Sequence, residues 1–212
     1  MSTGSSYNSK MLKANMAGGI SALILLLFSL SFLTACSTNK DFNETTISIN
    51  KKGNIESYIY ESFDKGYYNV GELQSVLDDE IAAYNEKTGE KDRVKLKSLS
   101  VEDQVAKAVF IYKSYEDYSS FNNVDFFYGT IEEAKKAGYS ISAAMKSIED
   151  GSSISGEEAL AMTDKMVIVI SEPVLVESSS DIGYVTANVE NLDKRHVRMS
   201  SDSSGRAYII LE

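Results

Sequence analysis

Apolar and polar positions change rhythm several times along the chain. Ile20 to Leu33, ISALILLLFSLSFL, is almost continuously apolar, and Lys10 and Lys13 ahead of it are the only charged side chains before Lys40. A two-residue alternation then begins. TTISIN (45–50) and IESYIYESF (55–63) flank KKGN, a Gly-containing turn, which predicts a hairpin. Val70, Leu73, Val76, Leu77, Ile81 and Tyr84 recur at helical spacing and predict a helix over Val70–Lys87, capped by Asn69 and stopped by Gly89. RVKLKS (93–98) alternates again, with Val94 and Leu96 inward and Arg93, Lys95 and Lys97 outward. VAKAVFIYK (105–113) reads as its more buried neighbour and VDFFYG (124–129) as a further short strand.

Two capping boxes follow, Thr130-Ile-Glu-Glu133 and Ser155-Gly-Glu-Glu158, with Gly138 as a stop for the first helix. Ile141, Ala144, Met145 and Ile148 are spaced for a helical turn or two between them. From Lys165 onward, KMVIVI, VLVES, GYVTANV, HVRMS and AYIIL alternate with Ser/Asp/Gly/Asn turns and read as strands. Pro173 falls after the first of these, where an edge or bulge tolerates it. The pattern predicts an α+β fold: an antiparallel sheet with a few helices in the N-terminal two-thirds and a strand-rich C-terminal third.

The opening apolar run is shorter than the roughly 20 residues of a membrane-spanning helix and is interrupted by Ser21, Ser29 and Ser31. With its basic flank it has the form of a secretory signal, against the alternative of an uncleaved anchor. Its end, Leu33-Thr34-Ala35-Cys36, resembles the lipobox of bacterial lipoproteins. The resemblance covers this N-terminal segment alone. It implies cleavage between Ala35 and Cys36 and a diacylglyceryl group on the Cys36 thiol, with palmitate-type chains in the membrane. Two acyl chains suffice for stable attachment, whereas one gives only marginal binding. The implied organisation is a signal peptide at 1–35, a lipidated tether at 36–45 and a single extracytoplasmic domain at 46–212, held at the cell surface or in the periplasm.

Cys36 is the one cysteine of the chain, so no disulfide forms within it. The net charge of −10 becomes more negative once Lys10 and Lys13 leave with the signal. Such a balance argues against nucleic acid and anionic lipid surfaces as partners, because both call for basic patches.

Motifs of catalysis are sparse. The single histidine, His196, stands in KRHVRM among cations, with no carboxylate evident to orient it, and reads as incidental. Ser-x-x-Lys occurs at Ser37, Ser48 and Ser62, none on a predicted helix where the two side chains would share a face. Gly66 to Gly71 has P-loop spacing but is followed by Glu72 and Leu73 in place of Lys and Ser/Thr. The pairs Glu132-Glu133 and Glu157-Glu158 lie in helix first turns, where acids complement the dipole. No catalytic residue, metal site or cofactor is assigned. The aromatic stretch FIYKSYEDYSSFNNVDFFYG supplies Tyr115, Tyr118 and Tyr128 as a candidate contact face, against the plainer reading that its regularly spaced rings are core.

The expected function is that of a non-catalytic, membrane-anchored envelope lipoprotein whose domain contacts an envelope protein or a glycan. The alternatives are a carboxylate-dependent wall-glycan hydrolase and an accessory subunit of an envelope or transport complex.

Overall fold

The computed structural model describes residues 42–202 and 205–212. Ala35, Cys36 and the first part of the tether lie outside the described residues.

Strands β1 (Thr46–Ile49) and β2 (Ile55–Ser62) form the expected hairpin. The Asn50 side chain accepts bonds from the Lys52 and Asn54 N–H groups, and Gly53 takes φ 80°. Helix α1 (Val70–Thr88) begins at Asn69, whose Oδ1 accepts from the N–H groups of Gly71 and Glu72. It ends at Gly89 in the left-handed region. β3 (Val94–Glu102) and β4 (Val105–Tyr112) are joined by Asp103 and Gln104, both at positive φ, the two-residue turn that matches strand twist. α2 (Tyr115–Asn122), β5 (Phe126–Thr130) and α3 (Ile131–Lys136) follow, then β6 (Met145–Ser147), β7 (Ser153–Ile154) and α4 (Gly156–Ala161). The remaining described elements are β8 (Met166–Ile170), β9 (Leu175–Ser178), β10 (Ile182–Thr186), β11 (Val189–Asn191), β12 (His196–Met199) and β13 (Ala207–Leu211).

The class is α+β, as the pattern predicts, but the strands divide into two sheets. One has the order β11-β12-β9-β1-β2-β4-β3 and is mixed, because β1 runs parallel to β9. The other, β5-β8-β13-β10-β6-β7, is antiparallel throughout. They pack face to face. Ile47, Ile55, Val176 and Val197 of the first meet Ile168, Ile170, Ile209 and Leu211 of the second in one buried cluster, which Leu73 and Leu77 of α1 extend. The far side of the second sheet carries Val167, Val169, Tyr208 and Ile210, covered by Ile131 and Ala134 of α3 and Ala159 of α4. β8 is buried on both faces, which explains its unbroken apolar run. Pro173 lies in the link by which the chain leaves the second sheet after β8 and enters the first at β9.

The helical turn expected around Ile141 to Ile148 is not formed. Residues 145–147 are instead strand β6, with Met145 and Ser147 buried and Lys146 exposed. β6 pairs with β10 and β7, and its buried residues serve tertiary contacts that the spacing alone resembles by coincidence. Met145 enters the cluster under α3 and α4, whereas Ile148 packs against the inter-sheet core.

Both capping boxes are present with reciprocal bonds, at Thr130/Glu133 and Ser155/Glu158. Gly156 opens α4 against the chain at Ile141, where a Cβ would stand 2.3 Å from the Ile141 carbonyl oxygen. Backbone cannot yield as a flexible side chain does. Gly156→Ala is therefore expected to lower stability by about 1–3 kcal/mol, the usual range for overpacking, read as a reduced midpoint in urea. A midpoint equal to the native one would show that this contact relaxes freely.

Candidate ligand-binding groove

The face of the mixed sheet turned away from the second sheet is polar and rimmed by aromatics. Strand register sets its rows. Tyr58 stands opposite Val109, which stands opposite Ser98; one row along, Tyr60, Lys107 and Ser100 are neighbours in the same way. Phe42 folds over this surface and meets the Tyr58 ring at 4.1 Å between centroids. Together with Glu102 these side chains line a groove of about 160 Å³. Tyr58 donates to Glu56 at 2.5 Å, and burial, seconded by that carboxylate, pushes its phenol pKa up. Lys107 Nζ lies over the Tyr60 ring at 5.8 Å.

What distinguishes this groove is its free valence. The Ser98, Ser100 and Tyr60 hydroxyls, the Lys107 ammonium and the Glu102 carboxylate make no hydrogen bond or ion pair with any described residue. A second, more open cleft, lined by Asp125, Ser171, Thr186, Asn188 and Arg206, is also polar. There most of the groups bind one another. Arg206 pairs with Asp125 at 2.5 Å, Tyr139 donates to Asp125, Ser171 donates to the Asp125 carbonyl, and Thr186 donates to Asn188. That cleft is a closed network that holds the end of the second sheet together.

The expected contact face at Tyr115, Tyr118 and Tyr128 is differently disposed. Tyr118 is fully buried, with 0% exposure, and donates its hydroxyl to Glu172 at 3.2 Å. It packs edge-on against Tyr112 and Phe126 and belongs to the inter-sheet core. Tyr115 is half-buried against Phe127, and burial followed by the Glu116 carboxylate pushes its phenol up to about 12. Tyr128 is half-buried beside Gly53 on the β1–β2 turn. The regular spacing reported packing for Tyr118. The Tyr58 and Tyr60 rings carried a signal in the alternation of IESYIYES, whose outward members are Glu and Tyr, but strand pairing was needed to bring them to Lys107 and the serines.

His196 has carboxylates that the linear pattern did not show. Its Nδ1 lies 2.8 Å from Asp193 and its Nε2 3.7 Å from Glu177, which register places directly across on β9. Both ring nitrogens face acids, so neither is directed at a hydroxyl nucleophile. The Asp193 carboxyl is held below its ordinary range, chiefly by the Arg195 backbone N–H and then by His196. Glu133 and Glu158 are likewise held down, by the backbone N–H and hydroxyl of Thr130 and Ser155, which accounts for them as caps. Among the described residues no group of three or more His, Cys, Asp and Glu is arranged to hold a metal ion, and no helix is long and apolar enough to cross a membrane. Comparison with protein-family models, curated proteins and solved structures returns no match for this chain, so the groove and its chemistry stand on their own.

Proposed function

We propose that the protein is a membrane-anchored lipoprotein of the bacterial cell envelope whose folded domain binds a ligand at the outer-face groove and performs no catalysis. The observation that carries the binding reading is the set of uncommitted polar groups between aromatic walls, brought side by side by the pairing of β2, β4 and β3. The strand-rich end from Met166 to Leu211 contributes β9 and β12 to the same face, beside β1. A glycan hydrolase of the two-carboxylate kind needs a pair of acids across a cleft. Among the described residues Glu102 is the one carboxylate lining this groove, which favours binding over hydrolysis.

The anchor rests on the resemblance of Leu33 to Cys36 to a lipobox. Phe42, which lines the groove, follows Cys36 by so few residues that the groove lies within about 20 Å of the acylated thiol along an extended chain. Cys36→Ser is expected to move the protein from the membrane pellet to the soluble fraction, or to leave it unprocessed. A variant that is processed to the same mass and pellets as the native chain does would overturn the anchor.

A further inference from the structure

We infer that the groove takes an acidic glycan, a sugar chain whose carboxylate pairs with Lys107 while its hydroxyls meet Glu102, Ser98 and Ser100. This rests on the groove being the binding site and adds the class of ligand.

Lys107 is singular. Every other lysine among the described residues is exposed, whereas Lys107 is half-buried, on β4 between β2 and the edge strand β3. Exposed lysines satisfy themselves with water. A half-buried ammonium gains from an anion, and this one has no carboxylate of a described residue within ion-pair distance, although the chain carries a net charge of −10. The neighbouring acid is committed elsewhere: Glu56 accepts from Tyr58 and pairs with Lys97 at 3.5 Å. Glu102 lines the end of the groove on β3, two residues beyond the Ser100 that faces Lys107, and makes no bond with another described residue. A carboxylate only accepts, so its complement is a donor such as a sugar hydroxyl. Tyr58, Tyr60 and Phe42 supply the apolar surface on which ring faces rest. Anion at one point, donors at another and a flat body between them describe an acidic sugar. A bilayer surface does not fit, since one lysine in an acidic chain gives no polybasic patch.

The test is calorimetric titration of the full chain in detergent with two probes of the same backbone: an oligogalacturonate and its fully methyl-esterified, neutral form. The acidic oligomer is expected to bind at least about tenfold more tightly, the worth of one charged contact. Lys107→Met should bring its affinity down to that of the ester with an unchanged melting temperature. Equal affinity for the two probes, or a preference that survives Lys107→Met, overturns the acidic class. Loss of both probes on Tyr60→Ala would still uphold the groove in that case. Binding that ignores Tyr60→Ala, or no binding by the native chain to either probe, overturns the groove and the glycan together.

Discussion

Glu172→Gln is expected to make the protein more stable above neutral pH by about 3 kcal/mol and to leave it nearly unchanged near pH 4.5. Glu172 lies in the link between β8 and β9, with only 8% of its surface exposed. One carboxyl oxygen accepts from the Tyr118 hydroxyl at 3.2 Å, and the other has no partner. Burial pushes its pKa from 4.5 up to about 7, and the Tyr118 bond opposes this without cancelling it. A carboxyl whose folded pKa is raised binds its proton more tightly when folded. Its favourable contribution is complete below the unfolded value of 4.5 and is lost as pH rises through about 7. Above that, folding carries a buried carboxylate with one hydrogen bond, and the amide of glutamine avoids the charge. No carboxylate or cation adds to the shift: Tyr118 is the titratable group that meets Glu172, and on β12 His196 and Arg198 turn to the opposite face from Val197 and Met199. Urea titrations of both chains at pH 5 and pH 8 provide the check. The difference between them matters rather than either curve, because burial also raises Glu61 while hydrogen bonds lower Glu133, Asp150 and Glu158 in both. Parallel pH profiles would mean that Glu172 is solvated in the folded state.

The second large effect is expected at Arg93. Asp117, 1% exposed at the start of α2, accepts from Arg93 Nε at 2.8 Å, from the Tyr84 hydroxyl at 3.1 Å and from the Ser114 hydroxyl at 3.0 Å. Those donors come from the entry to β3, from α1 and from the α2 cap, so a single buried carboxylate ties three elements. Arg93→Met removes the one countercharge and leaves the acid in place. Breaking such a pair from one side costs about 3–5 kcal/mol. The double variant Arg93→Met with Asp117→Asn should recover part of that loss, since it removes the stranded charge. Thermal melts of the three variants provide the measurement, and a double variant no better than the single would show that geometry rather than charge holds the junction.

The local elements were legible because local chemistry sets them. Asn69, Thr130 and Ser155 cap helices through bonds to residues two or three positions on, so the letters alone announce them. The hairpin at Asn50 to Asn54 is equally local. Tertiary context decided the rest. Ile141 to Ile148 carries helical spacing but is drawn into β6 by pairing with β10. The division into two sheets depends on β1 meeting β9 in parallel, a partnership between distant segments with no local signature. The groove was hidden for the same reason: Tyr60, Ser100 and Lys107 lie far enough apart in the chain that only the register of β2, β4 and β3 makes them neighbours. His196 gained Glu177 in the same way, from β9.

The parallel contact between β1 and β9 also governs when the fold can come into being. β1, near the start of the described chain, needs β9 beside it, and β13 must insert between β8 and β10 before the second sheet is continuous. The first sheet is therefore incomplete until β12 has arrived, and the second until the last described strand has. A chain delivered N-terminus first can pair β1 to β4 early, but the core that covers their inner face waits for the later strands, and such distant contacts are the condition for slow folding. Loss of β13 would remove the middle of one sheet and take Ala207, Ile209 and Leu211 out of the inter-sheet core, so shortening the chain at that end should abolish the fold rather than trim it.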